Sequence, residues 1–308
     1  MVRINQISSH PYNTMRRSLI KVVSKALGDT IGAMAVIDSF REKTGNDVYV
    51  IANLDSHFFS NSYPYLKVLS YDLPAPKKDD SNNKWHLDNE SYDEYIEIFY
   101  IFEKPLIAGY AEQLGVESWK RPKVDVTTSD RPIKSKYVCF SMHSTAQCKH
   151  WNYPDGWDKL CRILRKSGYT PVCIDRFESF GSDGNWNPVP KSCVKKNGID
   201  LTEMIKYISH CEFFIGLSSG LSWVAHAVGK PVVMISGVTS EDNEFSEDTV
   251  RIINKSVCHG CINKSEHKFD GGDWFWCPVH KGTPRHFECT TSITPESVFD
   301  KISHLIVK

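Results

Sequence analysis

The sequence carries no excess of either charge. Its 308 residues hold 37 Lys or Arg against 37 Asp or Glu, a formal net charge of zero. That balance removes the long-range attraction that nucleic acid or anionic lipid would need, unless basic residues cluster in space. Long apolar runs are missing too: none approaches the ~18 residues of a spanning helix, so no membrane span is expected. Met1-Val2-Arg3-Ile4-Asn5-Gln6 has neither the charged start nor the apolar core of a secretory signal. The expected compartment is therefore the cytoplasm, and most of the ten cysteines are expected to be thiols. A full glycine fingerprint is also absent; Ser218-Ser219-Gly220 stands as a weaker signal of the same kind.

What is present is a repeated strand-turn-helix pattern of α/β type. The best-defined copy runs from Phe213-Phe214-Ile215-Gly216 through the Ser218-Ser219-Gly220 turn. It continues as a small-residue helix to Gly229 and ends in Val232-Val233-Met234-Ile235. A turn of this kind is either an ordinary crossover or a place where helix N-terminal N–H groups meet a phosphate. An earlier copy starts at Leu19, turns at Gly28-Asp29 and predicts an amphipathic helix with Ile31, Met34, Ile37 and Phe40 on one face. Asp29 sits at the carboxyl end of that strand, where open sheets bind ligands. Its other reading is a helix N-cap.

Further strands are expected at 48–51 and 67–70, a polar surface loop at 74–89, and a helix at 105–114. Residues 97–102 read as strand or helix. Lys120 to Lys136 is charged, holds two prolines and lacks apolar periodicity, which places the interdomain linker there. The pattern then restarts, with strands at 137–142, 170–174 and 212–216 and helices at 155–167 and 201–209. Two βα sheets joined by a linker form a cleft between their carboxyl edges, so the Asp29 turn is expected to face those of Lys149 and Ser219. The domains expected are residues 1–130 and 131–308.

Residues 257–290 carry the most specific chemistry. Cys258-His259-Gly260-Cys261 is followed after fifteen residues by Cys277 and after eleven more by Cys289, with Trp274-Phe275-Trp276 beside the third cysteine. Four thiolates can close a tetrahedral site on Zn²⁺ or iron; two disulfides or free buried thiols are the other readings. A closed four-thiolate site would be structural.

Ala26-Leu27-Gly28-Asp29-Thr30, the loop Ser144 to Trp151, the turn Ser218 to Trp223 and the four cysteines, in this order, resemble the bacterial autotransporter heptosyltransferases, over roughly residues 19–306. The first three motifs are shared in kind with the lipopolysaccharide-core heptosyltransferases, whose third motif usually reads Asp-Thr-Gly-Leu-Ser-His. Here Ser218 and Trp223 replace the Asp and the His, which argues against a lipid-core acceptor.

The resemblance implies a GT-B fold of two Rossmann-like domains plus the metal finger. It implies inverting transfer of heptose from ADP-D-glycero-D-manno-heptose to serine hydroxyls of an autotransporter adhesin. Asp29 fits the base and Lys149 the cation for the leaving diphosphate. Donor contacts fall on Thr30, Ile31, Gly32, Ser144, Thr145, Lys149, Arg176, Ser218, Ser219, Gly220, Leu221 and Trp223. The metal is expected to be one Fe³⁺ per chain on Cys258, Cys261, Cys277 and Cys289, with zinc as the alternative. Family members carry a longer N-terminal segment used in assembly, whereas 18 residues precede the first strand here, which argues against the family's large ring; a homo-oligomer is the expected assembly. Two rivals are another ADP-sugar transferase acting on lipopolysaccharide core, and a metal-finger interaction module using Lys255, Lys264, Lys268, Lys281 and Arg285 to meet phosphate.

Overall fold

In the computed structural model, residues 15–126 and 130–306 are described. The N-terminal start, with the expectations about leader and assembly resting on it, and the middle of the expected linker lie outside them. Among the described residues no helix is long and apolar enough to cross a membrane.

The first part of the chain contains β1 (Arg17–Val22), α1 (Leu27–Thr44), β2 (Asp47–Ala52), β3 (Leu66–Ser70), β4 (Lys77–Asp79), β5 (Lys84–Leu87), β6 (Glu90–Tyr92), β7 (Glu94–Ile98) and α2 (Leu106–Gln113). Four strands form a parallel sheet in the order β3-β2-β1-β7. The chain winds from β1 through β2 to β3, then returns on the far side of β1 with β7. Its direction of winding reverses beside β1, and Asp29 follows that strand.

The second part holds β8 (Tyr137–Phe140), α3 (Gly156–Lys166), β9 (Thr170–Cys173), β10 (Ser179–Ser182), β11 (Asn185–Pro188), β12 (Val194–Lys195), α4 (Leu201–His210), β13 (Phe214–Leu217), α5 (Gly220–Ala227), β14 (Val232–Ile235), β15 (Thr249–Ile252), α6 (Glu288–Thr291) and α7 (Pro295–Lys301). Six strands lie in the order β12-β9-β8-β13-β14-β15, all parallel. Its switch point lies between β8 and β13, so the loops carrying Lys149 and Ser219 leave the sheet side by side. β8, β13 and β14 are buried at every position, as expected of parallel strands covered on both faces.

Two expectations need correcting. Residues 74–89 are not simply a surface loop: β4, β5 and β6 form a small antiparallel sheet. Its tight turns use Asn83, Asp88 and Asn89 at positive φ, and its short polar strands lack the apolar alternation that marks a strand in sequence. Helix α1 is not amphipathic in its first half either; residues 30–37 are all buried. One side covers the first sheet and the other packs on α5 of the second part.

That helix pair joins the two parts through small residues. The Trp223 indole lies against Gly28 and Gly32 of α1, and a Cβ at Gly28 would come within 2.5 Å of the ring. A Cβ at Gly220 would come within 2.8 Å of the Leu27 Cβ, so the N-termini of α1 and α5 meet almost backbone to backbone. We expect Gly220→Ala to cost about 1–3 kcal/mol, overlap outweighing the smaller gain in helix propensity. Denaturant unfolding measures this, and an unchanged midpoint would show that the contact yields freely.

Residues 120–126 and 130–136 form neither helix nor strand. Arg121 anchors this stretch, its Nε donating to the His226 carbonyl at the end of α5 (2.8 Å) and its Nη1 pairing with Asp248 (2.8 Å). A cation at a helix C-terminus is favourable.

Candidate active site at the cleft between the two sheets

Asp29 lies in the first turn of α1, whose N-cap is Ala26 with no side-chain cap bond, so Asp29 does not cap the helix. Its Oδ1 accepts from the hydroxyl of Tyr110 on α2 (3.1 Å). Burial pushes its carboxyl above the usual range, while the Ser24 hydroxyl, Tyr110 and the charge of Lys149 favour the ionised form. A half-buried carboxylate of raised basicity facing a cation is suited to taking a proton.

Tyr110 is fully buried, and its own titration is pushed upward by burial and by Asp29, so it remains a donor. A carboxylate acting as base must be ionised, so if Asp29 has that role activity should rise as pH passes its pKa. Tyr110→Phe removes a donor to the carboxylate, and the acid limb of the kcat profile should move to higher pH. A profile superimposable on wild type would detach Tyr110 from the base.

Opposite, the 141–151 loop is shaped from beneath by Asp175, buried at the end of β9. Asp175 accepts from Ser141 Oγ (2.6 Å) and the Met142 amide (2.8 Å). His150 is buried, receives the Ser144 amide at Nε2 (3.2 Å) and is held neutral mainly by burial. Lys149 projects from this loop, half-buried, its ammonium 5.7 Å from the centre of the Phe269 ring. Ser144 is half-buried and Thr145 exposed in the same loop.

The 218–220 turn supplies the third wall. Ser219 is the N-cap of α5, and its buried Oγ has no hydrogen-bond partner. An orphaned hydroxyl beside first-turn N–H groups fits an anion. Ser218 donates instead to Glu244, a buried carboxylate paired with Arg251. Leu221 packs on the core.

Asp29, Lys149, Ser144, Thr145, Ser218, Ser219 and Gly220 are thus carried by loops that meet at the sheet edges. Three expected donor contacts are placed elsewhere. Ile31 is buried in the core, Gly32 lies under Trp223, and the Thr30 hydroxyl turns back to the Ala26 carbonyl (3.4 Å). Helix α1 begins at Leu27, so these residues are already in its body. Trp223 is likewise buried, edge-on to Phe245 at 4.9 Å, and serves the contact between the two parts. Arg176 is exposed over the Phe177 ring at 5.3 Å. Tyr110, Glu244, Arg251 and Phe269 were not singled out from sequence; their partners are distant in the chain, and no local pattern marks them.

The cysteine segment packs beside this site. Cys261, Cys277 and Cys289 form one cluster with Trp276, Phe287, Ile262, Val238 and, from the Lys149 loop, Ala146 and Cys148. The segment thus shares its small core with neighbouring parts of the chain. Burial raises the Cys289 thiol, and Cys258, Cys261 and Cys277 are the next largest causes, so these three cysteines lie in its electrostatic surroundings. All four are free thiols, against the disulfide reading. Burial and then Glu288 push Cys258 up to about 11. Cys258, Cys261 and Cys289 are thus disfavoured as thiolates on their own, which suits a cation. Among the described residues, it is Cys258, His280 and Glu288 that bring ligand atoms within 4.8 Å of one another; the four cysteine sulfurs do not form so tight a group. Lys255, Lys281 and Arg285 pair with Glu241, Asp273 and Glu288, which neutralises much of the expected basic face.

Comparison with known proteins agrees with this geometry. Residues 193–268 match the model of glycosyltransferase family 9 (heptosyltransferase). The autotransporter heptosyltransferase Aah of Escherichia coli is 43% identical over 192 residues, 62% of this chain and 48% of its own length. The crystal structure of TibC from enterotoxigenic E. coli H10407, an iron-containing dodecameric glycosyltransferase, superposes with a TM-score of 0.85 at 30% identity. That match covers 94% of this chain and 76% of TibC. The chain belongs to the autotransporter heptosyltransferase family. Its fold is accordingly GT-B-like. The chain spans about half the length of the curated relatives it matches (48% for Aah). One of them, BimC of Burkholderia thailandensis, is an inactive autotransporter heptosyltransferase, 35% identical over 61% of this chain and 44% of its own. Family membership and activity are therefore separate properties.

Proposed function

We propose that the chain transfers a heptosyl group from an ADP-activated heptose to serine hydroxyls of an autotransporter passenger, with inversion at the anomeric carbon. The observation carrying this reading is Asp29, a carboxyl raised by burial at the switch point of one sheet, in electrostatic reach of Lys149 from the other. TibC, the structural relative, is known in complex with ADP-D-beta-D-heptose (TM-score 0.84, 29% identity). In the proposed reaction Asp29 takes the serine proton as the oxygen attacks the anomeric carbon. Lys149, Ser144, Thr145, the Ser219 hydroxyl and the first-turn amides of α5 hold the departing diphosphate, whose charge grows as the bond breaks. Arg176 lies on the nucleoside side. Residues 1–130 form the acceptor-side domain and 131–308 the nucleotide-sugar domain, with cytoplasmic location and homo-oligomeric assembly part of the same reading.

The four cysteines complete it. We assign Cys258, Cys261, Cys277 and Cys289 to one structural iron, which would supply folding energy and leave no open position for substrate.

Thermal stabilisation by ADP, GDP and UDP tests the donor class, with ADP expected to stabilise most. Lys149→Ala should weaken ADP binding about ten- to a hundredfold and slow transfer by about 10², measured by calorimetry and turnover. Equal stabilisation by all three nucleotides, or an unaffected Lys149→Ala variant, would contradict the reading.

A further inference from the structure

Asn263 lies two residues beyond Cys261, on the same short turn, and makes four polar contacts to two other parts of the chain. Its Oδ1 accepts from the Ser240 amide (2.8 Å). Its Nδ2 donates to Asn243 Oδ1 (2.6 Å), to the Phe102 carbonyl (2.8 Å) and to Tyr100 Oη (3.1 Å). Tyr100 in turn donates to Asn243 Oδ1 (2.7 Å), and the Asn243 carbonyl accepts the first amide of α2, that of Leu106 (2.9 Å). Asn243 is buried and donates through Nδ2 to Glu244 (2.8 Å), the carboxylate that receives Ser218.

Two routes leave this junction. One runs through Asn243 and Glu244 to the Ser218 turn. The other runs through Tyr100, Phe102 and Leu106 into α2, the eight-residue helix whose Tyr110 holds Asp29. An Asn is suited to the role because one planar group both accepts and donates, which neither Asp nor Leu of similar size can do. Phe102 and Phe269, 5.9 Å apart, add apolar contact between the same segments.

We propose that Asn263 is a positioning residue that makes the cysteine segment a latch on the α2 side of the cleft, so that metal binding fixes the base against the donor turn. A purely local finger would stabilise only itself. A latch instead makes order in residues 99–113 depend on groups some 160 positions away: |i−j| is 163 for the Asn263–Tyr100 bond. Its effect on turnover rests on the transferase reading, whereas its effect on order does not.

The test is amide hydrogen exchange on full-length, metal-loaded protein. Asn263→Ala should speed exchange in residues 100–113 by about tenfold or more while metal content by elemental analysis stays at the wild-type value. Tyr100→Phe, which leaves the cysteine segment untouched, should act in the same direction more weakly, and it decides the matter if Asn263→Ala fails to fold. Chelation of the metal should reproduce the Asn263→Ala pattern. In turnover, Asn263→Ala should lower kcat about tenfold with ADP affinity nearly unchanged, a split that general destabilisation would not give. Unchanged exchange at 100–113 in both variants would overturn the latch. Wild-type protein that transfers no sugar would overturn the proposed function and leave the exchange result to decide the latch.

Discussion

Asp29→Asn is expected to lower turnover by about 10² to 10⁴ while ADP-heptose affinity stays nearly unchanged. The substitution keeps shape and hydrogen-bonding capacity but removes the group proposed to accept the serine proton. Stability should not fall with it, because burial disfavours the charged carboxylate and Ala26, not Asp29, stands at the cap of α1. The neutral amide should even fold slightly more stably at neutral pH, where wild type holds a carboxylate against its burial. The same argument gives the pH dependence. Because the folded pKa lies above the ordinary value, stability from this group is fully present below the unfolded pKa and is lost as pH rises through the folded one. Activity runs the opposite way and needs the ionised form. Steady-state kinetics with unfolding measurements separate the two, and a variant that loses donor binding instead of turnover would assign Asp29 to the donor.

Cys289→Ser is expected to abolish metal binding and to yield insoluble or thermally labile protein. Cys289 is buried, and a Cβ at Gly237 beneath it would sit only 2.8 Å from its sulfur, so the loop after β14 packs directly on this side chain. Metal binding in zinc-finger peptides is worth roughly 10–16 kcal/mol, comparable to the stability of a whole domain. Cys261→Ser should behave alike. If Cys258, His280 and Glu288 held the ion instead, His280→Ala would release it and Cys289→Ser would not. Elemental analysis of the two variants decides between these donor sets. Thiolate-to-iron charge-transfer absorption would identify Fe³⁺, and a metal-free wild type with unchanged melting temperature would remove the metal from the account.

The elements that build the cleft were legible because each is written locally. β13, the Ser218-Ser219-Gly220 turn, α5, Gly229 and β14 follow one another within 22 residues (214–235), and each boundary carries its own residue type. The Asp29 turn and the strands at 137–140 and 170–173 were read for the same reason. What was missed depends on distance or on polar pairing. The β4–β6 sheet has little apolar alternation and is closed by Asn and Asp turns. Tyr110 reaches Asp29 across 81 positions, and nothing in Ile107-Ala108-Gly109-Tyr110 distinguishes a base-holding phenol from a core aromatic. Glu244 and Arg251 look like two more surface charges until folding buries both. The resemblance put Thr30, Ile31 and Gly32 among the donor contacts beside Asp29; as part of α1, which starts at Leu27, they are turned into the core. Trp223 was grouped with the donor turn by its neighbours, but folding directs its ring at Gly28.

The central claim is that the cleft built from the Asp29, Lys149 and Ser219 turns moves heptose onto serine. Intact-mass spectrometry of a serine-rich passenger fragment incubated with ADP-heptose and this protein tests it directly. The account predicts mass gains in whole heptosyl units, mapped to serine side chains, with wild-type protein and almost none with Asp29→Asn. No mass gain with folded, metal-loaded wild type, or equal gain with Asp29→Asn, would contradict it.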